Sequence, residues 1–75
     1  MKYKIKTLKL SLLKEHEKIN EDHVAKLVDQ IGRDGYIANP VIADKDTLII
    51  LDGHHRFNAL KRLGLTTIPV CLCRL

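Results

Sequence analysis

The sequence predicts an α+β domain whose elements follow in the order strand, helix, hairpin, helix, strand. Three observations carry this expectation. Tyr3 to Leu10 alternate with the period of a strand, while Val24, Leu27, Val28 and Ile31 fall at i, i+3, i+4 and i+7, the period of a helix. The apolar run Leu48-Ile49-Ile50-Leu51 then ends on Asp52-Gly53, where a strand hands over to a second helix.

Size and composition bound the rest. A chain of 75 residues has room for a single domain, spanning 1–75, with one small core and one site. Hydrophobic residues at 45% and charged residues at 29% are proportions of a soluble globular domain. No apolar run approaches the length of a membrane span, and Met1 to Lys6 lack the apolar core of a signal peptide, so no membrane is expected and the cytoplasm is the expected compartment. The net charge of +4 suits an anionic ligand or nucleic acid. Much of it comes from Lys2, Lys4, Lys6 and Lys9, which serve equally as a solvated strand face or as charges guarding a sheet edge. Aromatics at 4% leave little for base stacking, which argues against a single-stranded nucleic-acid binder.

Taken in order, the first strand places Tyr3, Ile5 and Thr7 on one side and Lys4, Lys6, Leu8 and Leu10 on the other. Ser11-Leu12-Leu13 leads into the charged loop Lys14-Glu15-His16-Glu17-Lys18, which by itself reads as solvated surface. Asn20 has the character of a helix N-cap, with Glu21 and Asp22 in the first turn where the dipole favours acids. Gly35 is the expected stop of that helix, and His23 within it reads as an exposed polar residue. Tyr36 to Pro40 form a connection. Val41-Ile42-Ala43, a turn at Asp44-Lys45-Asp46, and Thr47 to Leu51 read as a hairpin whose second strand is covered on both faces. The second helix runs from about Gly53 to Leu63, with Phe57, Leu60 and Leu63 on one face, Lys61 and Arg62 in the last turn, and Gly64 as its C-cap. Thr66 to Cys73 form the closing strand. Cys71 and Cys73 share a face of it as buried thiols, poorly oriented for a disulfide and without further ligands at zinc spacing.

The chemistry concentrates at Asp52-Gly53-His54-His55-Arg56. The first turn of a helix leaves backbone N–H groups unpaired and carries the positive end of the dipole, a combination that attracts phosphate. His54, His55 and Arg56 add side-chain donors there, and Arg56 offers a two-pronged guanidinium. Asp52 adds a carboxylate suited to a magnesium ion or to a proton transfer. No P-loop with its Gly-Lys pair is present.

These residues, with the loop before Asn20, Pro40-Val41 and Leu63-Gly64, make the chain resemble the ParB/sulfiredoxin superfamily, over most of its length. The resemblance implies a small domain with a mixed sheet and two main helices. Sulfiredoxins carry Gly-Cys-His-Arg at this turn; Gly53, His55 and Arg56 match, but His54 replaces the cysteine, which removes the nucleophile. ParB proteins carry Gly-Glu-Arg-Arg and bind CTP; His54 and His55 replace the Glu and the first Arg here, and no helix-turn-helix domain follows, so DNA binding is not the first expectation. The free serine kinase branch has Asp-Gly-His-His-Arg outright and a His-Glu pair before the first helix, matched here by His16-Glu17. That resemblance implies ATP or ADP as substrate, Glu17 as the base on a hydroxyl and Asp52 as a second catalytic carboxylate that also holds Mg2+. It implies Gly53, His54, His55 and Arg56 as the phosphate holders, and free serine or another hydroxyl as the acceptor. The kinases have a further domain that encloses the amino acid, and this chain ends after the first. A nucleotide-binding module without turnover and a ParB-like DNA-associated protein are the alternatives. A small domain with exposed strands is also suited to pairing with a second copy.

Overall fold

The computed structural model describes residues 3–34 and 40–74, with Tyr3 described by its backbone. The expected helix stop at Gly35 and the connection from Tyr36 to Asn39 lie outside the described residues. The elements are β1 (Tyr3–Lys9), a 3-10 turn (Leu10–Leu12), α1 (Glu21–Asp34), β2 (Val41–Asp44), β3 (Ile50–Asp52), α2 (His54–Arg62) and β4 (Thr67–Cys73). The strands form one sheet in the order β1-β4-β2-β3. β4 runs antiparallel to β1 and parallel to β2, and β3 runs antiparallel to β2. The α+β class and the mixed sheet are as the sequence implies. No helix among the described residues is long and apolar enough to cross a membrane.

The last strand takes an interior position because its residues suit one. Ile68 and Val70 alternate into a core with Leu10, Leu13, Val41, Ala43, Ile50, Phe57 and Leu60, and Leu8, Ile31, Leu48 and Leu72 pack around it. α2 buries Phe57, Ala59 and Leu60, and α1 lies against α2, with Val24 fully buried. Of the α1 stripe, Leu27, Val28 and Ile31 are half-buried, because this helix sits outside α2 rather than on the sheet. Leu63, expected on the buried face of α2, is instead 39% exposed. The helix has already ended there, and the chain is turning through Gly64 at φ 84.

The hairpin is shorter than its apolar pattern suggests. Asp44 organises the turn: its Oδ2 accepts hydrogen bonds from the Asp46 N–H at 3.2 Å, the Thr47 N–H at 2.8 Å and the Thr47 hydroxyl at 2.8 Å. Leu48 then adopts a left-handed backbone with φ 63, so regular pairing resumes only at Ile50 rather than at Thr47. Ile50 is fully buried, whereas Ile49 and Leu51 are half-buried, since β3 lies at the sheet margin. That margin is covered from an unexpected quarter. The segment after the 3-10 turn runs alongside it, with the Lys14 N–H donating to the Leu48 carbonyl and the Ile50 N–H to the Lys14 carbonyl, both at 2.9 Å.

Cys71 and Cys73 point to the sheet face away from the core, with their Sγ atoms 3.9 Å apart. Burial, and after it the Cys73 thiol, pushes the Cys71 thiol above its ordinary range, so it stays protonated near neutrality.

Gly53 and Gly64 hold the two ends of α2 in left-handed conformation, at φ 94 and φ 84. A Cβ at Gly53 would meet Val41 at 3.5 Å, an ordinary contact, and one at Gly64 would meet nothing, so substitution is penalised through the backbone alone. Gly53→Ala and Gly64→Ala are each expected to lower stability by about 1–2 kcal/mol in urea denaturation. Losses near zero would show that these turns relax to other conformations at no cost.

Candidate functional site

Two chain reversals meet at the start of α2. At Gly53 the left-handed backbone swings the chain from β3 into the helix. The first bond of the helical ladder runs from the Phe57 N–H to the Gly53 carbonyl at 2.8 Å, so the N–H groups of His54, His55 and Arg56 precede it. The first turn has neither an acidic residue nor a side-chain cap. Within the turn itself nothing offsets the dipole, which is the electrostatic condition for an anion site.

The segment bridged to β3 brings the second half of the site. His16, two residues beyond Lys14, hydrogen-bonds through Nε2 to the Ile50 carbonyl at 2.8 Å. A carbonyl only accepts, so His16 carries its proton on Nε2. Glu17 then reaches the helix start: its Oε2 lies 3.0 Å from His54 Nδ1. The His16 and His54 rings meet edge to face, with centroids 4.8 Å apart. Sequence reasoning separated Glu17 from Glu15 by resemblance alone; the structure gives a physical distinction. Glu15 is engaged by Asn58 Nδ2 at 2.6 Å and Lys61 Nζ at 3.7 Å, whereas Glu17 faces the cleft.

α1 closes the third side. Asn20 caps it through Oδ1, which accepts the His23 N–H at 3.1 Å. The Asn20 N–H in turn donates to His55 Nε2 at 2.9 Å, tying the two helix starts together. His55 thus accepts on Nε2 and presents Nδ1–H. His23, read from sequence as a plain exposed residue, is exposed but stacks on the His55 ring, with centroids 4.4 Å apart and planes at 20°. The sequence pattern placed His23 in the first turn of its helix; it held no sign that this turn abuts α2.

The result is a cleft of about 380 Å³. Asp52, Gly53, His54, His55 and Arg56 form its floor, Glu17 and Lys18 one rim, and His23 and Leu27 the other. All the residues singled out from the sequence, Glu17, Asp52 and 53–56, are therefore brought together. They are not equivalent. His54 is only 5% exposed and turns its ring toward Glu17, leaving Nε2 buried without a hydrogen-bond partner. Arg56 is half-buried and forms no ion pair among the described residues, whereas Arg62 pairs with Glu21 and Arg33 with Asp29. Asp52 is exposed and likewise unpaired among the described residues.

The sequence profile of the ParB N-terminal domain family matches residues 1–75. A ParB-like protein of Sulfolobus acidocaldarius is 34% identical over 70 residues, covering 93% of this chain and 35% of that protein. An ATP-dependent L-serine kinase of Staphylothermus marinus is 31% identical over 61 residues, covering 76% of this chain and 24% of that protein. The chain thus spans about a third or less of the length of these relatives. Among solved structures, a free serine kinase in complex with AMP superposes with a TM-score of 0.85 at 25% identity, over 92% of this chain and 30% of its own. Sulfiredoxin of Arabidopsis thaliana, at 23% identity and a TM-score of 0.80, shares the fold over 96% of this chain and 86% of its own.

The hydrogen bonds assign the imidazole protons. Nitrogen-15 correlated NMR of the histidine rings is expected to show His16 as the Nε2–H tautomer and His55 as the Nδ1–H tautomer near neutral pH. The opposite tautomer at His55 would mean that the Asn20 bond does not form.

Proposed function

The chain belongs to the ParB N-terminal domain family, and from that premise we propose that it binds an adenine nucleotide at the start of α2 and transfers its terminal phosphoryl group to a hydroxyl. The observation that carries the reading is the juxtaposition of Glu17 with an anion-binding helix start. A carboxylate lies 3.0 Å from His54 at the turn whose three leading N–H groups stand outside the ladder. The relatives support it: two similar proteins are serine kinases, one described as ATP-dependent and one complexed with AMP.

In this reading each residue has a physical task. Gly53 supplies the left-handed turn that starts α2 and leaves its leading N–H groups facing the polyphosphate. The N–H groups of His54, His55 and Arg56, the His55 Nδ1–H and the Arg56 guanidinium neutralise the phosphate oxygens. His54 turns its ring the other way, and its Nδ1–H holds the Glu17 carboxylate in place. Glu17 accepts the hydroxyl proton as the acceptor oxygen bonds to the terminal phosphorus and the bridging P–O bond breaks. The shortened nucleotide leaves with the electron pair. The donor set also fits Mg2+: Asp52 offers an exposed carboxylate beside the phosphate turn, and a magnesium ion takes one or two carboxylates together with phosphate oxygens. When bound, the ion supplies charge neutralisation. ATP and ADP both satisfy the site, and free serine, another hydroxyl compound or water is the acceptor.

A binding module without turnover is the second reading. Its ParB-like relative, 34% identical over 70 residues, favours that reading.

Glu17→Gln is expected to leave ADP and ATP affinity within about threefold while cutting phosphoryl transfer or hydrolysis by at least about 100-fold, as loss of a general base does. Nucleotide binding with no phosphate release from the wild-type chain, with or without serine, would select the module. Arg56→Ala is expected to weaken nucleotide affinity by at least about tenfold in calorimetry, the loss of a charge-assisted contact of about 1.5–3 kcal/mol. Unchanged affinity would remove the phosphates from this turn.

A further inference from the structure

We propose that His16, Glu17 and His54 form a binding site for a late first-row divalent cation of the zinc, cobalt and nickel type, distinct from any magnesium that accompanies the nucleotide. One ligand atom from each of the three side chains lies within 4.8 Å of the others. Ligands about 2.1 Å from a tetrahedral ion stand about 3.4 Å apart, so a separation of 4.8 Å must close by about 1.4 Å. His16 and Glu17 are both exposed, and rotation of the Glu17 side chain can supply that movement while His16 keeps its bond to the Ile50 carbonyl.

The ligand chemistry selects the ion. Two imidazoles and one carboxylate suit zinc-type cations, whereas magnesium requires an octahedron of oxygens. The protonation pattern fits as well. His16 gives its Nε2–H to the Ile50 carbonyl at 2.8 Å, the supporting bond that metal-binding histidines use, and this leaves the Nδ1 lone pair available. His54 is buried, with one ring nitrogen against Glu17 and the other, Nε2, without a hydrogen-bond partner. Its Nδ1, the nitrogen that faces Glu17, is the atom placed to share an ion with that carboxylate, the ring proton then residing on Nε2. Two of the three, Glu17 and His54, line the cleft, and on that side a coordination position is left for water or a phosphate oxygen. Metal binding here is a property of these three side chains and does not depend on phosphoryl transfer. Its consequence for activity does rest on that reading: an ion on Glu17 withdraws the carboxylate that accepts the proton, so zinc-type cations inhibit where magnesium supports.

The test uses Co2+ alone, titrated into the full chain without nucleotide and followed by the visible absorption of tetrahedral cobalt. One equivalent is expected to bind. His16→Ala and Glu17→Gln, both at exposed positions, are each expected to weaken binding by at least about tenfold, with circular dichroism confirming the fold. Cys73→Ser is expected to leave binding unchanged. Failure of the wild-type chain to bind one equivalent, retention of full affinity by His16→Ala, or loss of the signal in Cys73→Ser would each overturn the site. None of these results bears on whether nucleotide is turned over.

Discussion

The margin of β3 is closed by the segment around Lys14, and the geometry of the cleft follows from that pairing. A three-residue strand at the edge of a sheet has free backbone groups and little to fix it. Here the Lys14 carbonyl takes the Ile50 N–H and the His16 ring the Ile50 carbonyl, while the Lys14 N–H takes the carbonyl of Leu48 just before the strand. With His16 docked on the Ile50 carbonyl, the next side chain in the sequence, Glu17, is delivered to His54 at the start of α2. A surface loop is thereby held at a fixed distance from the helix start by backbone hydrogen bonds. Positioning of that quality is what phosphoryl transfer requires, since its catalysis consists of placement and charge neutralisation.

Charge is distributed in the cleft in the same spirit. The surface ion pairs Arg33–Asp29, Lys61–Glu15 and Arg62–Glu21 occupy cations away from the floor, while Arg56 is left uncommitted among the described residues. Exposed pairs of that kind contribute little to stability. Within the site, His55 couples the two helix starts through Asn20, and His23 braces its ring by stacking. A ligand that fills the Nδ1 side of His55 therefore acts on both helices. His54 has a different part, holding Glu17 from a buried position. The same ring, with His16 and Glu17, brings three ligand atoms within 4.8 Å of one another, the cluster proposed above as a cation site.

The sequence was most legible where a local rule governs. The α1 cap at Asn20, the α2 stop at Gly64 and the strand–helix turn at Gly53 follow from backbone preferences and stand within a residue of expectation. Legibility failed where a tertiary contact decides. The apolar run from Leu48 looks like continuous strand, yet the Asp44 turn forces Leu48 into a left-handed conformation and shortens it. The Leu63 side chain matched the helical stripe but lies past the point where the helix unwinds. Glu17 stood out only through likeness to a family, because nothing local separates it from Glu15; its distinction arises from contacts with His54, many residues away in the chain. His23 was passed over for the same reason.

On the proposed function, polyphosphate sits on the N-terminal turn of α2. Backbone amide shifts recorded during titration with ADP and Mg2+ test it most directly. The largest changes are predicted at Gly53, His54, His55 and Arg56, with smaller ones at Glu17 and at Asn20 to His23. Changes concentrated elsewhere, such as the β1 and β4 edge of the sheet, or no changes at saturating nucleotide, would contradict it.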